Sequence, residues 1–125
     1  MVEGCVCGSG RPSARCCDPL LAGRPAPTAE RLMRSRYTAF VRGDVDHLRA
    51  SWHPSTRPAT LSLDSHVVWE GLTVLRTERG GLLDDDGVVE FRARCRRASG
   101  PEVLHEVSRF RREGRDWFYL DGVHP

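Results

Sequence analysis

Four of the five cysteines in this 125-residue chain lie within thirteen consecutive positions near its start. They form the pattern Cys5-x-Cys7-Gly-Ser-Gly-x5-Cys16-Cys17. Two thiols one residue apart, a turn and two further thiols can converge on one tetrahedral ion, and zinc prefers such soft ligands. Gly8 and Gly10 suit a tight turn around a metal because glycine adopts left-handed backbone angles without a steric penalty.

Two other uses of these thiols compete with a metal site. A disulfide within either pair is strained, and cross-paired disulfides require an oxidising compartment. No apolar signal segment precedes Cys5, so we expect a reduced, cytoplasmic protein. A redox pair is more often spaced Cys-x-x-Cys. We therefore predict a structural Zn²⁺ held by four cysteines, with no open position for catalysis.

The cysteine pattern resembles the SEC-C motif, the small zinc knuckle in the C-terminal tail of the SecA preprotein-translocation motor. The last ligand of that knuckle is usually histidine, whereas this chain has Cys17. Further segments resemble the YchJ-like family of bacterial proteins, which join a SEC-C knuckle to a domain similar to nuclear transport factor 2. These segments are residues 32–37, 43–46, 52–54, 108–110 and 117–122.

The resemblance implies contact with a protein, because the SecA knuckle docks an export chaperone. We therefore expect a non-enzymatic adaptor whose knuckle binds a protein partner. The alternative is a small-molecule-binding protein, or an enzyme of the lyase or isomerase type, that uses the interior of the cone-shaped domain. A deep polar-lined cavity joined to solvent favours the alternative, whereas a filled cone with an exposed knuckle favours the adaptor.

The length of the chain and its net charge limit the kinds of protein that it can be. The chain has room for one domain of ordinary size and a small appendage. Its formal net charge is only +2, which argues against a general nucleic-acid binder. No apolar run approaches the length of a membrane span, so we expect neither a nucleic-acid nor a membrane partner.

The chain divides into a knuckle over residues 1–20, a proline-rich connector over residues 21–27 and an α+β domain over residues 28–125. Prolines and a glycine predict an irregular backbone between residues 18 and 27. Leu20 and Leu21 are the apolar part of this stretch, and we expect them to dock the knuckle onto the main body.

Two helices are predicted at the start of the α+β domain. Thr28 is a good N-cap, and Gly43 ends a helix whose apolar residues recur at helical spacing up to Arg42. Those residues are Leu32, Met33, Tyr37, Phe40 and Val41. Arg36 falls within this apolar arc, whereas Arg34 lies near or beyond its edge. Asp44 caps a second short helix that carries Trp52 and ends at Pro54.

Beyond residue 64, apolar and polar residues alternate along the chain, which predicts strands. We place strands at residues 67–75, with a bulge at Gly71, and at 89–95, 103–111 and 117–121. Cys95 falls on the apolar side of its strand as a small core residue. Helices followed by hairpin-linked strands predict an α+β fold in which helices pack on a curved antiparallel sheet of about four strands. The family resemblance implies the same cone.

Candidate site residues lie where the first helix faces the third strand. Leu104, Glu106, Ser108 and Phe110 share one face of that strand, so Glu106 and Ser108 point into the cone if the apolar pair does. We hypothesise that Glu106 pairs with Arg36, with Tyr37, Ser108 and Tyr119 nearby. This group is either a structural polar core or a catalytic pocket. Glu106 and His53 are the candidates for acid–base chemistry.

The outer face of the sheet is predicted to be rich in arginine. The residues are Arg92, Arg94, Arg96, Arg97, Arg109, Arg111 and Arg112. Ordinary solvation of a charged sheet face is one explanation, and contact with a phosphate or an acidic partner is the other. Sheet faces of this fold often pair, so a homodimer through the sheet is a further expectation.

Overall fold

The computed structural model describes residues 4–125. A 3-10 turn at Ser13–Arg15 precedes three helices, α1 (Cys17–Leu21), α2 (Ala29–Arg42) and α3 (Val45–Ala50). Four strands follow: β1 (Val68–Arg79), β2 (Asp86–Arg97), β3 (Gly100–Glu113) and β4 (Asp116–Val123). They form one antiparallel sheet in chain order, and α2 packs across it. The predicted α+β class with four hairpin-linked strands is confirmed.

Helix α2 has the predicted bounds because both of its ends are capped. The side chain of Thr28 accepts a hydrogen bond from the backbone N–H of Arg31 at 3.1 Å. Gly43 ends the helix with a φ of 70°, a left-handed conformation that glycine adopts readily. Leu32, Met33 and Tyr37 are buried as predicted. None of the helices described is long and apolar enough to cross a lipid bilayer.

The irregular backbone predicted for residues 18–27 is wrong for its first part, which is helix α1. Pro19 is compatible with a helix here because it lies in the first turn, where its missing N–H breaks no helical hydrogen bond. Gly23 follows with a φ of 110°, and the N–H of Arg24 bonds back to the carbonyl of Pro19. Leu20 is buried in the main core, as predicted for a residue that docks the knuckle.

The second helix is shorter than predicted, and Trp52 lies outside it. Asp44 caps α3 as expected, by accepting a hydrogen bond from the N–H of His47 at 3.0 Å. The chain then leaves the helix because its backbone pairs with β4. Ser51 accepts a hydrogen bond from the N–H of Tyr119, and the N–H of His53 donates to the carbonyl of Tyr119, both at 2.8 Å.

The strands extend beyond their predicted bounds, but their faces are as expected. Val89, Phe91, Ala93 and Cys95 are buried on β2, whereas the arginines between them are exposed. The pairing of β1 with β2 shifts between Trp69 and Gly71, which confirms the predicted bulge. β1 runs to Arg79 because backbone pairing with β2 continues after its apolar alternation has ended.

A close approach of two glycines fixes the start of α2 against the first hairpin. The backbone N–H of Ala29 donates to the carbonyl of Gly80 at 3.0 Å. A Cβ atom on Gly87 would lie 2.5 Å from the Cα of Gly80 and 3.2 Å from the Cβ of Ala29. There is no space at this junction for even a methyl group.

Gly87→Ala is therefore expected to lower the free energy of unfolding by about 1–3 kcal/mol, the usual cost of overpacking. Denaturant unfolding measures this change. Gly81→Ala is the matched control in the same hairpin, because the nearest atom to its added Cβ is the Asp84 carboxylate at 3.4 Å. Equal stability of the two variants would contradict the close packing of the junction.

Candidate metal centre and interior cavity

The four clustered cysteines meet at one point. The sulfur atoms of Cys5, Cys7, Cys16 and Cys17 all lie within 4.8 Å of one another. The Cys7–Cys16 and Cys16–Cys17 sulfur distances are 3.5 and 3.9 Å. Tetrahedral zinc with Zn–S bonds of about 2.3 Å requires sulfur atoms about 3.8 Å apart. The four thiols are at most 5% exposed and form no disulfide, so their arrangement fits a closed four-sulfur metal site.

The backbone around the cluster turns where the glycines allow it. Gly8 and Gly10 have φ values of 82° and 84°, as predicted for this turn. The N–H of Cys5 donates to the carbonyl of Arg11 at 2.7 Å and closes the loop. The hydroxyl of Ser9 lies 3.1 Å from the sulfur of Cys16 and also accepts a hydrogen bond from the N–H of Arg11. Ser9 thus orients one of the four thiols.

The protonation of the thiols also favours a bound cation. A hydrogen bond from Cys17 lowers the pKa of Cys7 to about 4, against the opposing effect of burial. The same bond and burial raise the pKa of Cys17 far above its usual range, and burial raises that of Cys16. Without a cation, the cluster therefore stabilises one thiolate and disfavours deprotonation of a second thiol. A divalent ion would remove this conflict, because it allows every ligand sulfur to be a thiolate.

Three arginines of α2 fasten the knuckle to the helix. Arg34 donates to the carbonyl of Cys7 at 2.7 Å and is oriented by an ion pair with Glu30 at 3.0 Å. Arg31 donates to the carbonyl of Cys16 at 3.3 Å. These contacts bind the backbone of two candidate ligands directly.

Arg42 makes the third attachment, to α1. Its guanidinium bonds to the carboxylate of Asp18 at 2.8 Å and to the hydroxyl of Ser13 at 3.0 Å. The hydrogen bond from Arg42, together with one that the Ser13 hydroxyl donates to the Asp18 carboxylate at 2.8 Å, holds the pKa of Asp18 below its usual range. Sequence reasoning missed the arginine contacts, since nothing in the local pattern distinguishes a solvated arginine from one that meets a distant carbonyl.

A cavity of about 320 Å³ lies between α2 and the sheet. Its walls are mainly apolar and aromatic, and include Tyr37, Phe40, Trp69, Phe91 and Leu104. Its polar lining comes from Arg36, Arg97, Glu106 and Tyr119. The cone is therefore not completely filled by its own side chains. Tyr37 lies on the aromatic wall, with its ring edge-on to Trp69 at 6.0 Å.

Arg36 is the most deeply buried charge at this cavity, with 4% of its surface exposed. Its Nη1 donates to the carbonyl of Leu48 at 2.9 Å and to the hydroxyl of Ser51 at 2.7 Å. The rings of Tyr119 and Trp52 lie 4.5 and 5.1 Å from its guanidinium carbon. Burial lowers the pKa of Arg36 to about 10, so the side chain stays charged at neutral pH.

The predicted ion pair between Arg36 and Glu106 is wrong as a direct contact. No carboxylate of the described residues lies within 4.0 Å of the Arg36 guanidinium. Glu106 instead accepts hydrogen bonds from the hydroxyls of Ser108 and, at 3.4 Å, of Tyr119. The ring of Tyr119 covers Arg36 while its hydroxyl turns to Glu106, so it stands between the two charges.

The environment of Tyr119 and Glu106 is enclosed by β3 and β4. Burial raises the pKa of Tyr119 to about 12, with a smaller contribution from the charge of Glu106. The imidazole of His124 lies 3.7 Å from the other carboxylate oxygen of Glu106. Glu106 thus has several polar neighbours and faces the cavity from its sheet side.

His53, the other candidate for acid–base chemistry, lies away from the cavity. It is buried against Phe118 and contacts the carboxylate of Glu113 at 2.9 Å and the hydroxyl of Ser55 at 2.7 Å. These contacts join the segment after α3 to the end of the sheet. The structure therefore separates His53 from the other predicted site residues.

Four of the seven arginines predicted for the outer sheet face pair with carboxylates, and one of these four, Arg97, lines the cavity instead. Arg97 pairs with Glu102, Arg109 with Asp121 at 2.5 Å, and the remaining pairs are Arg96–Glu70 at 3.5 Å and Arg112–Asp85 at 3.3 Å. Such exposed pairs contribute little to stability. They neutralise part of the arginine-rich surface.

Comparison with known proteins assigns the family. Residues 28–122 match the family model described as YchJ, middle NTF2-like domain. This chain belongs to the YchJ-like UPF0225 family. A UPF0225 protein of Chromobacterium violaceum is 50% identical over 124 residues, which cover 95% of this chain and 91% of the relative. A UPF0225 protein of Streptomyces coelicolor is 48% identical over 119 residues, with 94% and 93% covered.

Solved structures of two SEC-C motif containing proteins have the same fold as this UPF0225 chain. The solution structure from Rhodopseudomonas palustris has a TM-score of 0.85 and 35% identity, and the match covers 100% of this chain and 99% of the other. The crystal structure from Psychrobacter arcticus has a TM-score of 0.73 and 26% identity, with 94% and 75% covered. The predicted family and fold, an N-terminal knuckle followed by a domain of the nuclear transport factor 2 type, are confirmed.

The metal centre is tested by a pair of cysteine variants. We expect one zinc ion per chain in the reduced protein and its loss in Cys16→Ser, because three thiolates hold zinc less tightly than four. Cys95→Ser is the matched control, since Cys95 is equally buried but lies in the sheet. Elemental analysis after gel filtration measures the ratio. A metal-free wild type, or equal zinc in both variants, would contradict the site.

Proposed function

We propose that this protein binds a small molecule in the cavity between α2 and the sheet. The observation that carries the proposal is an unfilled, mostly apolar cavity with a buried arginine on its wall. Binding sites for small molecules are typically concave and apolar, with a few polar groups that fix the orientation of the ligand. The cavity has this composition, and its 320 Å³ lies near the lower end of the usual range of about 300–1,000 Å³.

In this proposal the knuckle has a structural role, and the ion on Cys5, Cys7, Cys16 and Cys17 is Zn²⁺. When bound, zinc would neutralise the clustered thiolates and fold a segment too short to have a core of its own. The four sulfur atoms leave no position for substrate or water, so no reaction is assigned to the metal. The knuckle instead braces α2 through the contacts of Arg31, Arg34 and Arg42.

The proposal is for binding and not for catalysis. A general base needs a free carboxylate or imidazole within reach of the substrate. Glu106 already accepts hydrogen bonds from Ser108 and Tyr119, and His53 does not line the cavity. Ligand recognition is therefore the function that the polar groups of the cavity support best.

Filling the cavity from β2 tests the proposal. Ala93 is buried and lines the cavity, so Ala93→Leu would occupy the ligand's space without removing a polar group. We expect ligand-observed NMR with a library of small aromatic and aliphatic fragments to give hits for the wild type that Ala93→Leu abolishes.

Ala98→Leu is the matched control, because Ala98 is exposed in the turn after β2. It should keep every hit of the wild type. Zinc content and melting temperature establish that both variants are folded. Absence of hits for the wild type, or hits that persist in Ala93→Leu, would contradict ligand binding in the cavity.

A second candidate function is the adaptor, in which the knuckle binds a protein. Val6 favours it, because this apolar side chain is 50% exposed at the outer side of the knuckle. The exposed Arg11 and Arg15 lie in the same knuckle. A partner segment with an apolar residue beside acidic residues would complement this small surface.

Val6→Asp tests the adaptor function against Val68→Asp, since Val68 is 57% exposed but lies on β1. Affinity capture from lysate with quantitative mass spectrometry should find a protein that the wild type and Val68→Asp retain and Val6→Asp loses. Direct binding of that protein in purified form completes the test. A capture pattern that is identical for all three proteins would contradict the adaptor function.

A further inference from the structure

One edge of the Arg36 guanidinium makes no hydrogen bond to the described part of the chain. Its Nη1 is used by Leu48 and Ser51, and two aromatic rings lie over it. Nε and Nη2 make no hydrogen bond to any residue in the described part of the chain, and Arg36 lines the cavity. In the Arg109–Asp121 pair of this protein, the Nε and Nη2 atoms of Arg109 each donate to one oxygen of the Asp121 carboxylate. The same two atoms of Arg36 form the free edge.

This free edge belongs to a cation that forms no direct ion pair, because no carboxylate of the described residues lies within 4.0 Å of it. A buried charge is costly unless a charge of opposite sign and hydrogen bonds compensate it. Arg97 at the same cavity is already paired with Glu102 and lies 3.8 Å from Asp64. The indole N–H of Trp52 is a further buried donor at this wall without an acceptor among residues 4–125. The part of the wall around Arg36 therefore offers donors and positive charge, whereas the carboxylate at this cavity, that of Glu106, is held by Ser108 and Tyr119.

We infer that the ligand of this cavity is a small monocarboxylate whose two oxygens bind the Nε–Nη2 edge of Arg36. Planar guanidinium and carboxylate groups match in a two-bond geometry, which is stronger and more specific than a single neutral hydrogen bond. The apolar body of the ligand lies against Phe40, Trp69 and Leu104, which line the same cavity. The inference rests on the proposed function and names the chemical class of its ligand.

Glu106 restricts the charge of this ligand to one. Its carboxylate also lines the cavity, and its charge acts on both Arg36 and Tyr119. A second negative charge on the ligand would be repelled by Glu106 in a site of low dielectric constant. Dicarboxylates and phosphate monoesters are therefore disfavoured relative to a monocarboxylate of the same size.

Two matched pairs of probes test the inference on the zinc-loaded full chain. Each pair has an acid anion and its uncharged amide: phenylacetate with phenylacetamide, and hexanoate with hexanamide. We expect at least one acid to bind about tenfold or more tightly than its amide, from the ordinary strength of hydrogen bonds to charged groups. Calorimetry or quenching of the tryptophans at the cavity measures the dissociation constants. Phenyl phosphate should bind more weakly than phenylacetate.

Arg36→Met should abolish the preference for the acid while leaving the amide bound. Arg92→Met is the matched control, because Arg92 is exposed on the outer face of the sheet and should keep the preference. If Arg36→Met does not fold, the ¹H–¹⁵N signal of Arg36 Nε in the wild type is used to test whether the acid binds at Arg36. It should shift with the acid and not with the amide.

The outcomes separate this inference from the proposed function. Equal binding of acid and amide, with both lost in Ala93→Leu, would overturn the carboxylate inference and leave ligand binding in the cavity intact. If neither the acids nor the amides bind while other fragments bind at the cavity, the carboxylate inference is likewise overturned and ligand binding in the cavity is left intact. A preference for the acid that survives Arg36→Met would also overturn it, because the anion would then bind elsewhere.

Discussion

Helix α2 is buried from two sides, and the rest of the structure depends on this arrangement. At about 100° per residue, Arg31, Arg34 and Thr38 share one side of the helix, and Met33 and Arg36 lie on a different side. The first side meets the knuckle, where Thr38 also lies 3.9 Å from the sulfur of Cys5. The second side meets the sheet and the cavity. The knuckle, the helix and the cavity wall are therefore three consecutive layers.

This layering places the cavity and the cysteine cluster on different sides of one helix. A cavity removes packing contacts, and the residues around it must be held in place by other interactions. Here Arg36 is fixed from behind by Leu48 and Ser51, and α2 itself is held by the knuckle. The knuckle thus contributes, through α2, to the position of the guanidinium.

Much of the fold was predictable because its signals are local. Thr28, Gly43 and Asp44 cap helices through contacts within a few residues, and the alternation around Phe91 and Cys95 defines the strand faces. The cysteine cluster was equally readable, because its spacing is short. These features need no knowledge of what lies across the molecule.

The errors arose where a distant partner decides the outcome. The helical period correctly predicts that Arg36 lies on the buried side of α2, but the predicted carboxylate partner is wrong. The actual acceptors are a carbonyl and a hydroxyl at the end of α3, which no sequence pattern marks. Trp52 lies outside the helix predicted for it because the backbone on both sides of it pairs with β4. The helical period predicts that Arg34 lies near or beyond the edge of the apolar arc, but it cannot reveal that the knuckle covers that side of the helix.

The dependence of α2 on the knuckle can be measured directly by amide hydrogen exchange with and without the metal. If the layered arrangement is correct, removing zinc with a chelator under reducing conditions raises exchange along α2, including residues 31–38, as well as in the knuckle. Protection in the β2–β3 pair should change least. Loss of protection confined to residues 4–20, with α2 unchanged, would contradict the claim that the knuckle braces the helix and the cavity wall.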